Sequence, residues 1–423
     1  MRILFFADNY PPEVNAAATR VHERARLWVR DGHEVTVITS TPNFPQGRIY
    51  DGYRNRLRQV EIIDGVRVVR VWSFVAANEG IALRILDFVT YMAASFFAAF
   101  FERRPDIATS TSPQFFCAVG AWAHAAVRRL PYVFELGDLW PASITAVGAM
   151  RPNLFLRLME RLELFLYRRA DAVVALTADF KRDLTARGIA PGKIEVVRNG
   201  VDLSRYAPRP RDAALAAEWG LTDKFVVAYI GTHGVAHALD KVLEAARILQ
   251  TRVPDVRFLF VGDGAARKGL VAQTAEMELK NVVFTGPRPK DEMPSWWSVA
   301  DVALISLKKL DLFTGVIPSK IFEAMGMGIP LLFAGPRGEA SDIIEQDNCG
   351  VLVPPEEPEA LAEAVSRLAT DRALVEELRT RSAEAAPRHS REHQADQMIE
   401  VYTRVLNGAY RQAKLAPVES RSE

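Results

Sequence analysis

Short unbroken apolar runs, each followed by a loop and then an amphipathic stretch, recur along the chain and restrict it to one class of fold. Residues 3–7, Ile-Leu-Phe-Phe-Ala, form the first run and stop at Asp8. A strand that is apolar at every position is covered on both faces, as in a parallel sheet. A loop at 9–18, a helix at 19–31 and a second strand from Val35 to Thr39 complete a βαβ unit. Further runs follow at 60–63 and 66–71, joined by the hairpin signal Asp64-Gly65, then at 106–109, 132–136, 172–177 and 194–197. The rhythm restarts at 225–230 and continues at 258–261, 282–286, 301–305, 331–335 and 349–354. Helical periods at 112–129, 151–169, 239–250, 293–300, 358–370, 371–384 and 391–410 lie between and after these runs. Two such series predict an α/β protein with two doubly wound, Rossmann-like domains.

A length of 423 residues agrees with two domains of roughly 200 each. Lys plus Arg (53) nearly cancels Asp plus Glu (52), so nothing global points to nucleic acid. Cys117 and Cys349 are the sole cysteines, which excludes a disulfide framework and a cysteine-based zinc site. The N-terminus turns acidic too soon for a signal peptide and reads as a strand. Residues 88–101 carry no charge and include five phenylalanines, with Arg84 and Arg103-Arg104 on either side. Fourteen residues are too few to span a bilayer, which needs about 20. A buried helix of the first domain is the leading reading, and a helix dipping into the membrane interface the second. The helix at 151–169 carries five arginines beside an apolar side; it reads as a surface helix interleaved with Glu160 and Glu163, or as a membrane-surface helix.

Loops at the ends of the apolar runs hold the candidate functional residues, because open α/β sheets place ligands there. Asp138 follows the strand 132–136; it is a candidate for orienting or deprotonating an acceptor hydroxyl, or a cap for the next segment. Gly231-Thr232-His233-Gly234 follows the strand 225–230, a turn that can cradle phosphate. Gly262 and Arg288 occupy the ends of the next two strands, and Thr314 and Gly315 the approach to Pro318-Ser319-Lys320. Pro318 and Ser319 suit a helix start, whose free N–H groups and dipole attract a phosphate, with Lys320 adding a full charge. Glu323, one turn on, can accept hydrogen bonds from sugar hydroxyls.

Pro318-Ser319-Lys320, Phe322-Glu323-Ala324-Met325 and Gly328-Ile329-Pro330 together resemble the donor-site helix of glycosyltransferase family 4. Tyr10-Pro11-Pro12, Gly32-His33-Glu34-Val35, Asp138-Leu139-Trp140-Pro141 and Asn199-Gly200-Val201-Asp202 resemble that family in the same order. The likeness is strongest to the bacterial branch that builds surface polysaccharides, its fucosamine-transferase-like members. Departures are specific. The first of the family's two glutamates falls on Gly315, a histidine before the aspartate is Gly137, and a glycine pair in the first loop is Asn15-Ala16-Ala17-Ala18. The usual Arg and Lys after the second domain's first strand are missing; His233 and His237 stand nearby, which leaves Lys320 as the expected permanent cation.

The resemblance implies the GT-B architecture, with an acceptor-side domain over 1–200, a nucleotide-sugar domain over 201–387, and 388–423 packing back on the first. It implies a retaining, metal-independent hexosyltransferase that uses a nucleoside diphosphate sugar, UDP-linked in the leading reading, as co-substrate without a further cofactor. No Asp-x-Asp triplet occurs in the sequence, which agrees with that chemistry. Asp138 and Lys320 are the catalytic candidates. Gly231, His233, Gly234, Gly262, Arg288, Thr314, Gly315, Ser319, Lys320 and Glu323 form the donor set, and Asn15, Arg20, Asp138 and Trp140 the acceptor side. The expected acceptor is lipid-linked or a saccharide, in cell-surface polysaccharide synthesis. The expected location is the cytoplasm, with peripheral contact to the anionic inner membrane. An epimerase of the same fold and a non-catalytic sugar-nucleotide-binding protein are the competing readings.

Overall fold

The computed structural model describes residues 1–75, 81–112, 115–138 and 154–410. The chain divides into two compact units: residues 1–199 with 394–423, and residues 200–393.

The first unit is built on an eight-stranded sheet. Its strands are β1 (Arg2–Phe6), β2 (Glu34–Ser40), β3 (Arg58–Ile63), β4 (Val66–Val71), β5 (Ile107–Thr111), β6 (Tyr132–Leu136), β7 (Ala172–Ala175) and β8 (Ile194–Val196). The order is β3-β4-β2-β1-β5-β6-β7-β8, and every pairing is parallel except β3 with β4. That exception is the Asp64-Gly65 hairpin, whose φ angles of 48° and 79° are those of a tight left-handed turn. β1 is central because Ile3, Leu4, Phe5 and Phe6 meet apolar layers on both faces. Chain order reverses between β1 and β5, the switch point at which a parallel sheet opens a crevice.

The last helix, Arg391–Leu406, joins this unit from Gln394 onward. Trp28 donates its indole N–H to Ala395 O at 3.0 Å, and its ring meets Tyr402 edge-on. Glu135, buried on β6, receives Arg24 at 2.5 Å and the Tyr402 hydroxyl at 3.3 Å. A buried carboxylate needs such partners, and they fix the helix in register.

The second unit carries six parallel strands: β9 (Phe225–Ile230), β10 (Val256–Val261), β11 (Val282–Gly286), β12 (Val302–Ser306), β13 (Leu331–Ala334) and β14 (Gly350–Val353). Their order, β11-β10-β9-β12-β13-β14, is that of a dinucleotide-binding sheet, with its switch point between β9 and β12. Apolar layers cover both faces.

Two sequence expectations change. The first helix runs Ala16–Arg30, not from residue 19, because the Asn15 side chain caps it by accepting from Ala18 N at 2.8 Å. The charge-free run is a helix, Ile81–Ala98, followed by a 3-10 turn at Ala99–Phe101, but only 22% of Leu83–Phe101 is buried. The helix after β9 starts at Leu239, where the sequence reading puts it. A 3-10 turn at Val235–His237 and a left-handed Ala238 intervene before Leu239–Arg252.

Candidate functional site

In the second unit the candidate donor residues converge on the switch point. β9 ends at Ile230, and Gly231 turns with φ at 139°. Gly262, after β10, has φ at 138°, and a Cβ there would stand 2.0 Å from Gly231 O. Only glycine permits this approach of two main chains. Gly231 N donates to Val261 O, His233 N to Asp263 O and Gly262 N to Gly286 O, so the loops after β9, β10 and β11 form one stack.

Lys320 projects onto that stack. Its Nζ lies 3.5 Å from the centre of the Tyr229 ring, and a Cβ on Gly231 would be 3.1 Å from it. The amine is buried and has no hydrogen-bond partner. Burial lowers its pKa to about 7, with Glu323 pulling the other way. A cation–π contact offsets only part of the lost hydration.

The two histidines do not supply the missing basic pair. His233 is fully buried, neither ring nitrogen has a partner, and its pKa falls to about 4 through burial first and then the charges of Lys320 and Arg267. His237 is also held below its usual range by burial and by Lys320. Its Nδ1 lies 3.2 Å from Ser306 O, which can only accept, so Nδ1 carries the proton. Both rings flank Tyr229 at 5.8 Å and act as neutral walls. A permanent cation does stand close by, at a residue outside the expected set. The Arg267 guanidinium would be 3.5 Å from a Cβ on Gly286, and its charge reaches His233. In the sequence it is one arginine on an ordinary helix start.

The helix bearing Lys320 runs Lys320–Gly326, and Ser319 at its N-cap makes no side-chain cap. Seven residues give little macrodipole, so the expected helix-end attraction reduces to a few local N–H groups. Glu323 is half-buried, accepts the Trp297 indole N–H at 3.3 Å and has its pKa raised by burial. Thr314 bonds its hydroxyl to Asp311 O, and Thr314 O accepts from Glu339 N at 2.8 Å. A Cβ on Gly338 would be 2.1 Å from Thr314 O, so the Thr314-Gly315 loop is laced to the loop after β13. Gly234 lies between the histidines, with His237 3.4 Å from its would-be Cβ. The Arg288 guanidinium lies over Trp219 and Trp296 at 5.2 and 5.1 Å, which fixes its position by stacking.

A second candidate site lies at the switch point of the first unit. A cavity of about 410 Å³ opens at the ends of β1, β5 and β6. Asn15, Arg20 and Asp138 line it, together with Asp8, Thr111 and Ser112. Trp140 lies outside the described residues. Arg20 is buried and donates to Thr111 Oγ1 at 2.7 Å. Ser112 Oγ accepts from Gly137 N at 2.7 Å and Asp138 N at 3.3 Å, which sets the turn that delivers Asp138. Gly137 now has a reason: a Cβ there would meet an Arg20 guanidinium nitrogen at 2.8 Å and Ser112 O at 2.8 Å.

Asp8 was legible in the sequence only as the end of a strand. Burial first, then Asp87 and Glu13, raises its pKa well above the usual carboxylate range. Glu13 ties the loop after β1 to the loop after β2 by accepting from Tyr10 N, Asn43 N and Phe44 N. Burial still raises its pKa, and these three bonds oppose the rise.

Comparison with known proteins agrees with this architecture. A family model described as a glycosyl transferase 4-like domain matches residues 15–200, and one described as glycosyl transferases group 1 matches residues 224–371. The chain belongs to glycosyltransferase family 4. Over 377 residues it is 25% identical to WcaI of Escherichia coli K12, named for colanic acid biosynthesis, covering 86% of this chain and 91% of that protein. A GDP-mannose-dependent alpha-mannosyltransferase of Mycobacterium tuberculosis is 28% identical over 375 residues, 88% of this chain and 89% of its own. Among solved structures, Anabaena HepE in complex with UDP superposes with a TM-score of 0.71 at 19% identity, covering 95% of this chain and all of that one. That likeness shows the GT-B fold. Among the described residues no group of three or more His, Cys, Asp or Glu is placed to hold a metal ion.

Proposed function

We propose that this glycosyltransferase moves a sugar from a nucleoside diphosphate sugar to a lipid-linked or saccharide acceptor, with retention at the anomeric carbon. Its proposed setting is cell-surface polysaccharide synthesis in the cytoplasm; the WcaI relative, named for colanic acid biosynthesis, supports the polysaccharide part of that reading. One observation carries the donor reading: the buried, unpartnered Lys320 amine on the Gly231 turn. A diphosphate placed there restores the partner the amine lacks, and Arg267 adds a second charge.

In the reaction the bond between the anomeric carbon and the diphosphate oxygen breaks, and charge collects on the leaving group. A preorganised ammonium stabilises that charge more as it grows, which lowers the barrier without a metal ion. The acceptor oxygen forms the new glycosidic bond and loses its proton. Asp138, at the polar end of the first unit's cavity, is the side chain proposed to orient or accept that hydrogen. Asp8 lines the same cavity; burial first, then Asp87 and Glu13, raises its pKa, and Asp138 is proposed for the role ahead of it.

UDP is the leading nucleotide, supported by the complex of HepE with UDP; the mannosyltransferase relative makes GDP the competitor. Incubation with radiolabelled UDP-, GDP- and dTDP-sugars plus an extracted lipid-linked acceptor, with and without EDTA, tests the reading. Labelled glycosylated product that survives EDTA is expected. An epimerised nucleotide sugar, or binding with neither transfer nor hydrolysis, would replace it.

A further inference from the structure

We infer that the outer face of three helices in the first unit docks onto an anionic lipid bilayer. The inference rests on this helical face and stands whichever donor the enzyme uses.

The helix Ile81–Ala98 has two unlike sides. Its inner flank is locked into the core: Tyr91 donates to Ile38 O at 2.9 Å, and Ala98 and Ala99 are buried. A helix so anchored cannot leave the fold to span a membrane. Its outer side carries Leu83, Leu86 and Phe97, at intervals of three and eleven residues that fall on one stripe, and the 3-10 turn that follows adds Phe101. Phe97 and Phe101 are 63% and 76% exposed. Large aromatics this bare on a helix with a well-packed inner flank mark a contact surface.

Neighbouring helices extend the face. Phe115–Arg128 lies alongside through Phe100 and His124, whose rings are 4.6 Å apart, and exposes Val127. Leu154–Arg169 is tied to it through Trp122 and Phe165, 5.0 Å apart. That third helix exposes Leu154 and Leu158 with Arg157 and Arg161 on the same side. This is the pattern of a helix lying in a membrane interface.

Charge selects the occupant. Arg84, Arg104, Arg129, Arg157, Arg161 and Arg169 stand exposed on these helices or at their ends. Of the acidic groups there, Glu102 is buried against Arg58 and Arg67, and Glu163 against Arg187. Asp87 and Glu160 remain to oppose six arginines, while the whole chain is balanced at +1. The positive excess is therefore local. A two-fold contact with a second copy would set these arginines against one another, whereas an anionic bilayer pairs with them and takes up the phenylalanines between.

The test is flotation of the full chain with phosphatidylcholine vesicles, with and without phosphatidylglycerol. Binding to the anionic vesicles is expected, weaker in salt on the order of 0.5 M and weaker still on pure phosphatidylcholine. Phe97→Ser with Phe101→Ser, both exposed, should keep the melting temperature and weaken anionic-vesicle binding about tenfold or more. Arg157→Glu with Arg161→Glu should weaken it in low salt and leave less salt dependence. Absence of flotation at low salt overturns the inference, as does a phenylalanine double variant that floats like the parent. A dimer in sedimentation that these substitutions split, without vesicle binding, assigns the face to a second copy and overturns it as well.

Discussion

The Lys320 ammonium lies 3.5 Å above the centre of the Tyr229 ring, with the Gly231 turn on its other side. An amine with a lowered pKa and no hydrogen-bond partner is costly to the free protein. Its position is explained if the missing partner arrives with the substrate.

Lys320→Ala should therefore lower kcat/KM by roughly ten- to several hundred-fold, since a charge-assisted contact contributes about 1.5–3 kcal/mol. Lys320→Arg should recover part of the loss, limited by the shape of the guanidinium. Lys320→Met should be as inactive as the alanine variant yet melt higher than the parent, because it fills the space without burying a charge. Steady-state kinetics with melting curves check all three. A fully active alanine variant would move the diphosphate elsewhere.

The fold class was legible because strands covered on both faces read as apolar runs, as β1, β6, β9 and β12 do; β3, exposed at alternate positions, was legible from its hairpin turn instead. What the sequence hid is set by tertiary neighbours. Arg267 reads as a surface arginine until the sheet order brings the loops after β9, β10 and β11 together. His233 reads as a donor-loop residue of open charge, and burial first, then Lys320 and Arg267, lowers its pKa to about 4. Asp8 closes a strand in the sequence; burial in the fold first, then Asp87 and Glu13 beside it, makes it a perturbed carboxyl. The run 88–101 reads as core because composition cannot tell which side of an apolar helix is covered.

Gly137→Ala tests the cavity of the first unit. The added methyl would meet Arg20 and Ser112 at 2.8 Å each, so Arg20 must swing away from Thr111. Overpacking of this kind costs about 1–3 kcal/mol. The acceptor KM should rise while nucleotide affinity, measured by calorimetry, stays unchanged. A loss confined to nucleotide binding would contradict the acceptor assignment.

Asp138→Asn should lower kcat by more than it weakens nucleotide binding, since Asp138 and the nucleotide residues sit in separate units. Asp8→Asn offers the contrast. A carboxyl whose folded pKa is raised binds its proton more tightly when folded, and that stability is lost as pH climbs through the folded pKa. Asparagine mimics the protonated form, so the variant should lose less stability than the parent as pH rises above the ordinary carboxylate range. Its kcat should stay within about threefold of the parent, a difference under 1 kcal/mol in barrier. A collapse of kcat in Asp8→Asn, with Asp138→Asn still active, would exchange the two roles.

Lys320 also predicts the pH dependence of donor binding. In the free protein its pKa is lowered from 10.5 to about 7, so above that pH the amine is increasingly neutral. A bound diphosphate stabilises the ammonium and raises the pKa again. Affinity is then greatest below about pH 7 and falls by up to about tenfold per pH unit above it, until the bound-state pKa is reached. Binding at pH 8 must draw a proton from solvent. Calorimetry of UDP binding in buffers of different ionisation enthalpy should show that uptake, and Lys320→Met should abolish it. The linkage to folding has the opposite sense. The unfolded lysine, with a pKa near 10.5, holds more protons than the folded one, so this group makes the free protein more stable as pH rises from about 7 towards 10. Melting curves over that range should rise less, or fall more, in Lys320→Met than in the parent. Nucleotide affinity that is flat from pH 6 to pH 9, with no proton uptake, would show that Lys320 does not meet the diphosphate.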